Sequence, residues 1–221
     1  MKIKFLVLFL IASSCAAADI PADRMQRALE YCMPHVRGVG IEIEAAQQMC
    51  KSDHCKICVA IQSDDVAGLR QLLEHGADPN LHPEGKDAVM DLAAYAPDVR
   101  ILQTMLRFGG KVDAEEGSKQ DGPAKRALAL GVETGYWDNF EFLMTQSTNI
   151  SIRSGSPPFT LPEAAVSLGH YNVANRLLDM GYARELESLL NYAQGRVVAD
   201  TMKPEKAGLI ERLEAMIGEV E

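Results

Sequence analysis

Apolar positions recur along this chain at helical spacing, and the helices themselves recur. Val66, Leu69, Leu72 and Leu73 fall on one face of a 3.6-residue period, which predicts a helix ending at Gly76. Moving 33 residues on gives Val99, Leu102, Met105 and Leu106. A further 38 gives Trp137, Phe140, Leu143 and Met144, and a further 34 gives Tyr171, Ala174, Leu177 and Leu178. A shorter apolar helix, marked by Ile57, Ala60 and Ile61, precedes the first of these. The same shifts carry Ala60 to Ala93, Gly131 and Ala165, all small, and Ile61 to Ala94, Val132 and Val166, all apolar. Gly76, Gly109, Ser147 and Gly181 form a turn column, where glycine suits the left-handed residue that ends a helix. Columns that share one set of offsets are the mark of internal repetition. Each unit therefore reads as two short helices, and the small column reads as the place where stacked helices approach closely.

Polar stretches punctuate the units: Pro83-Glu84-Gly85, Glu116-Gly117-Ser118 and Ser154-Gly155-Ser156-Pro157-Pro158. Thr160 and Glu163 have the spacing of a capping box, which predicts a helix start at Thr160. A stack of such units exposes its terminal faces, and the flanks offer covers. Residues Pro21 to Arg37 and Ile41 to Lys51 read as helices before the first unit. Leu186 to Gln194 and Pro204 to Val220 read as a degenerate final pair. Leu209, Leu213, Met216 and Ile217 form an apolar stripe there, and Pro204 suits a first helical position.

Leu72-Leu73-Glu74-His75-Gly76-Ala77-Asp78-Pro79-Asn80 resembles the end of an ankyrin repeat. Ser167-Leu168-Gly169-His170-Tyr171-Asn172-Val173-Ala174-Asn175-Arg176-Leu177-Leu178-Asp179-Met180-Gly181 resembles its turn and second helix. The middle units depart from the pattern. Ala88-Val89-Met90-Asp91-Leu92-Ala93-Ala94 stands at the Thr-Pro-Leu-His opening without its Thr, Pro or His, and Ser147-Thr148-Asn149 replaces a Gly-Ala-Asp turn. The resemblance spans roughly Cys55 to Glu185. It implies an all-α solenoid of about four helix pairs, with a protein-binding groove between the finger loops and the first helix of each pair. The expected organisation is a signal peptide over 1–18, an N-terminal helical cap over 19–54, repeats over 55–185 and a C-terminal helical cap over 186–221. The five extra residues ahead of the third unit are expected to enlarge the finger around Ala114 to Pro123.

Lys2 and Lys4, the apolar run Phe5 to Ile11 and the small residues Ala16-Ala17-Ala18 read as an export signal, too short for a mature membrane span. Cleavage is expected after Ala18, delivering the chain to the periplasm, so the expected relative is an exported bacterial protein. Cys15 offers lipid attachment instead, but Ala12 stands where that motif takes a Leu-like residue. Four other cysteines, Cys32, Cys50, Cys55 and Cys58, cluster at the junction of cap and first repeat. In an exported chain they read as disulfides. The short loop favours Cys50 with Cys55, leaving Cys32 for Cys58, although four cysteines permit three pairings. Two alternatives stand beside this. Cys55-Lys56-Ile57-Cys58 has the spacing of a thiol-disulfide redox pair, and the cysteines with His35 or His54 are a set that suits zinc.

The whole chain carries 22 basic and 31 acidic residues, net −9. Loss of Lys2 and Lys4 with the signal takes this to −11. Such a balance opposes nucleic-acid binding and docking on anionic lipid, and it favours a basic protein partner. No nucleophile, metalloprotease or phosphate-loop motif occurs, and the paired acids Asp64-Asp65 and Glu115-Glu116 read as solvated turns. His75 and His170 sit where repeats use His for local turn bonding. The reading is a monomeric, non-enzymatic binding module with no cofactor and no metal, serving as adaptor or inhibitor. An immunity protein against a secreted toxin and a helper of a stress-defence enzyme are its two concrete forms. The candidate contact residues are His82, Glu115 and Glu116 on the fingers, and Tyr95, Tyr136, Trp137 and Leu168 around the helices. Trp137 is the ambiguous one, since its column also holds Val66 and Val99.

Overall fold

The computed structural model describes residues 20–37, 42–84, 86–146 and 148–219. The expected signal peptide, Cys15 and the turn residue Ser147 lie outside the described residues. The described chain is helical, apart from one isolated bridge between Ser154 and Phe159.

Helices α1 (Ala22–Cys32) and α2 (Ile43–Met49) precede four pairs. These are α3 (Asp53–Gln62) with α4 (Val66–Glu74), α5 (Val89–Ala94) with α6 (Val99–Arg107), α7 (Pro123–Thr134) with α8 (Asp138–Met144), and α9 (Leu161–Ser167) with α10 (Tyr171–Asp179). A fifth pair, α11 (Leu186–Gly195) and α12 (Lys203–Gly218), closes the other end. First helices pack on first helices, in the order α1, α3, α5, α7, α9, α11, while α4, α6 and α8 form the second layer and α12 covers α10. No pair of this length can enclose its own apolar face, so the interior is continuous. One buried cluster runs from Cys32 through Ile57, Leu102, Leu128, Phe140 and Tyr171 to Leu213.

The repeated columns explain this packing. Leu69, Leu102, Phe140 and Ala174 are fully buried, as are Ala93 and Ala165 in the small column. Gly131 shows why that column is small: a Cβ there would meet the Trp137 ring at 2.5 Å. The second helices of the first two pairs begin on aspartates 33 residues apart. Asp65 accepts the Gly68 N–H at 2.8 Å, and Asp98 accepts the Arg100 N–H at 2.9 Å. The predicted capping box is formed, with Thr160 and Glu163 each bonding the other's backbone N–H. Gly76, Gly109 and Gly181 end their helices at φ 94, 90 and 95°, a region side chains with a Cβ rarely adopt.

One expectation is corrected by the fold. The three finger intervals, 75–88, 108–122 and 145–160, are nearly equal, whereas α7 has 12 residues against six for α5. The extra residues lengthen the helix rather than the finger. Pro123, which reads as a turn residue, sits at the first position of an added turn, Pro123-Ala124-Lys125-Arg126.

The N-terminal cap is held covalently. Cys32 bonds Cys58, tying α1 to α3, and Cys50 bonds Cys55, tying the end of α2 to α3. Arg24 adds an ion pair to Asp64 at the α3–α4 turn. Loop-closure entropy predicts unequal contributions. The 26-residue separation of Cys32–Cys58 should stabilise by about 3–4 kcal/mol and the 5-residue Cys50–Cys55 loop by about 2 kcal/mol. Urea unfolding of Cys32→Ala/Cys58→Ala and Cys50→Ala/Cys55→Ala variants, compared with the unmodified chain, checks both the order and the size.

Candidate functional site

The surface available for binding is bounded by two rims. His82, Glu115 and Glu116 lie in the fingers that precede α5 and α7, whereas Tyr95, Tyr136 and Leu168 directly follow α5, α7 and α9. The first helices therefore separate the two groups, and the candidates do not gather in one spot.

On the helix-end rim, Tyr95, Tyr136 and Leu168 are 37%, 54% and 40% exposed. Aromatic and aliphatic surface left bare in this way is the material of interface anchors. The Tyr95 hydroxyl donates to the Glu133 carboxylate, which fixes its ring and pushes its own ionisation up. Trp137 is half-buried against Gly131, with its ring edge-on to Phe140 at 6.0 Å and beside His170 at 5.7 Å. It packs a seam between the third and fourth pairs, as its column suggests.

On the finger rim, backbone and side chains stitch neighbouring units together. Asn80 accepts the Lys111 N–H and, 33 residues on, Asp113 accepts the Asn149 N–H, both at 2.8 Å. Glu116 is engaged in the same way, accepting the Arg153 N–H at 3.2 Å and pairing with Arg184 at 3.6 Å. Its charge is therefore partly committed within the fold. Glu115 and His82 are exposed. Arg153 binds Glu163 at 2.8 Å and also Glu185, joining the third finger to the fourth and fifth pairs.

Residues that pattern reading passed over lie between the rims. Tyr31 of α1 is 47% exposed, next to Asp87, and burial followed by that carboxylate pushes its phenol up. His54 is buried, with Nε2 3.1 Å from the Asp87 carbonyl oxygen and Nδ1 without a partner. With Pro34, Lys86 and Gln120 these border a cleft of about 520 Å³. The added turn of α7 brings Arg126 to the same place, 3.2 Å from Asp87 and 3.7 Å from Asp121. Beside them Asp91 is buried in α5. The Gly122 N–H favours its charged form, and Oδ2 has no hydrogen-bond partner among the described residues. The visible signal for Asp91 was an acid inside the otherwise apolar run Ala88 to Ala94.

Neither member of Cys55-Lys56-Ile57-Cys58 bonds the other, since each is joined to a cap cysteine and buried. Among the described residues no group of three or more His, Cys, Asp or Glu is arranged to hold a metal ion, and no helix is long and apolar enough to cross a membrane.

Two buried charges yield predictions. Burial raises Asp91 to about 6, against the opposing influence of Arg126 and the Gly122 N–H and with Asp121 and Asp87 adding to the rise. A carboxyl whose folded pKa is raised holds its proton better when folded. Its stability contribution is therefore complete below pH 4 and is lost as pH rises through 6, by roughly 3 kcal/mol. The neutral Asp91→Asn variant should lack that slope in urea titrations from pH 4 to 7. Lys125, also on the added turn, donates to the Ser154 carbonyl, the Ser154 hydroxyl and the Phe159 carbonyl, and burial pulls it down to about 8. Lys125→Met removes these three bonds, leaving the two carbonyls only their mutual backbone bonds, and should cost about 1–3 kcal/mol in the same assay.

No protein-family model and no curated protein matches this sequence. Among solved structures, the chain is similar to the ankyrin repeat domain of human ASB11, with a TM-score of 0.55 and 17% identity over 87% of this chain and 82% of that one. At that identity the likeness speaks to fold alone, and the fold it supports is an all-α stack of ankyrin-type helix pairs.

Proposed function

We propose that this chain is a non-catalytic protein-binding module of the cell envelope, acting as an adaptor or inhibitor through the face bounded by its fingers and first helices. The ankyrin-type stack supports a protein-interaction role. The observation that carries the choice of surface is the bare row of Tyr95, Tyr136 and Leu168 along the ends of successive first helices, with Tyr31 beside it. Singly exposed apolar residues are ordinary, but large ones recurring in register on adjacent repeats offer a continuous strip to one partner.

The two cysteine pairs are compatible with an oxidising, exported location, in keeping with the signal-like N-terminus. The net charge of −9 favours a basic partner by steering its approach. An immunity protein that covers a secreted toxin and a helper of an envelope stress-defence enzyme both fit this reading, with the chain acting as a monomer.

The test is affinity capture from the cell envelope under non-reducing conditions. The unmodified chain should retain a specific protein. The Tyr95→Ala/Tyr136→Ala variant should bind it at least about tenfold more weakly, since truncating an anchor costs more than about 1 kcal/mol. No retained protein, or retention indifferent to both tyrosines, overturns the assignment of this surface.

A further inference from the structure

We infer that the cleft between the first two fingers is a receptor for an arginine side chain of the partner protein, with Asp91 at its base. The inference rests on the protein-binding reading and makes it specific.

Asp91 is 2% exposed, and its Oδ2 atom accepts no hydrogen bond from the described residues. A buried carboxylate oxygen left bare is costly, and folds seldom retain one without a partner outside the chain. The nearest internal cation, Arg126, is drawn off by Asp87 and Asp121. Asp91 is not sealed in the core. It lines an open cleft of about 160 Å³ between the finger carrying Asn80 and His82 and the finger carrying Asp113 and Glu115. The lining also holds Glu115 and Asp113, the latter with one oxygen taken by the Asn149 N–H, against a single lysine, Lys111.

The chemistry selects the guest. A divalent metal is disfavoured, because no three ligating side chains here come together as a metal set. A guanidinium is flat and carries five N–H donors in a fork, so it can bond the Asp91 carboxylate and keep donors for the other polar groups of the lining. A lysine ammonium is a compact, strongly hydrated point charge and matches a buried carboxylate less well. A net-negative chain would also steer a basic segment to this entrance.

Amide NMR of the full chain with N-acetyl-arginine amide as probe tests this, with the neutral N-acetyl-citrulline amide as its shape-matched control. The arginine probe should give saturable shifts confined to Asp91, Ala114, Gly122 and their neighbours, and the citrulline probe none. Asp91→Asn keeps the side chain's shape but loses its charge, and should weaken binding at least about tenfold. Glu115→Lys, at an exposed position, should do the same and carries the test if Asp91→Asn does not fold. Equal responses to both probes, shifts elsewhere, or undiminished binding by the folded variants would overturn the inference. Capture of an envelope protein that needs Tyr95 and Tyr136 but ignores Asp91 would sink this site while leaving the protein-binding reading intact.

Discussion

Every helix pair in this molecule is too small to bury its own apolar face, and the remainder of the architecture follows from that. Pairs must stack, so the residues at their contacts must be small or fit one another, and the ends of the stack must be covered. Ala93 and Ala165 satisfy the first demand, and the Gly131–Trp137 contact shows an exchange of bulk between positions, a missing Cβ making room for an indole. The ends meet the second demand differently. At the C-terminal end α12 lays Leu209 and Leu213 on the core. At the N-terminal end α1 and α2 make a small satellite cluster around Met25, Leu29 and Cys50, and the two disulfides hold it in place. A cap that touches only one neighbour has less packing to rely on, which is where a covalent tie contributes most.

The repeat architecture was legible because it is written in periodic columns, and periodicity survives the loss of family letters. The opening Ala88 to Ala94 lacks the family's Thr, Pro and His, yet its apolar spacing still folds as a first helix. What the columns leave open is where unequal lengths are absorbed. An offset of 38 instead of 33 reveals added residues but not their conformation. Gly122-Pro123 carries two turn formers, so a longer finger was the natural reading. In the structure the glycine ends the finger at φ 83° and the proline opens the helix, using the same residues for the opposite purpose.

The candidate site was legible only in part, for a related reason. Tyr95, Tyr136 and Leu168 stand out because they are large, apolar and off the buried columns. Tyr31 escaped notice since it belongs to a cap with no column to depart from. Glu116 looked like free charge from sequence, because nothing local announces that Arg153 and Arg184 reach it from 37 and 68 positions away. Asp91 could be seen only as a mismatched letter, since an acid in an apolar helix signals either a defect or a purpose, and its surroundings are needed to choose.

Those surroundings favour purpose. A stack built from uniform columns needs no ionisable group inside it, yet Asp91 is buried where the second pair meets the third and Lys125 where the third meets the finger before the fourth. Lys125 is there because of the added turn of α7, and its donors are fully occupied by Ser154 and Phe159, so it serves the joint between fingers. Asp91 is different, since Arg126 from the same turn pairs with Asp87 and Asp121 and leaves Asp91 Oδ2 buried without a donor among the described residues. Local rules of burial are broken here in two ways, one compensated inside the chain and one not. The uncompensated break is where the fold gives up stability with no internal return, and a guest that supplies the absent donor would recover it as binding energy.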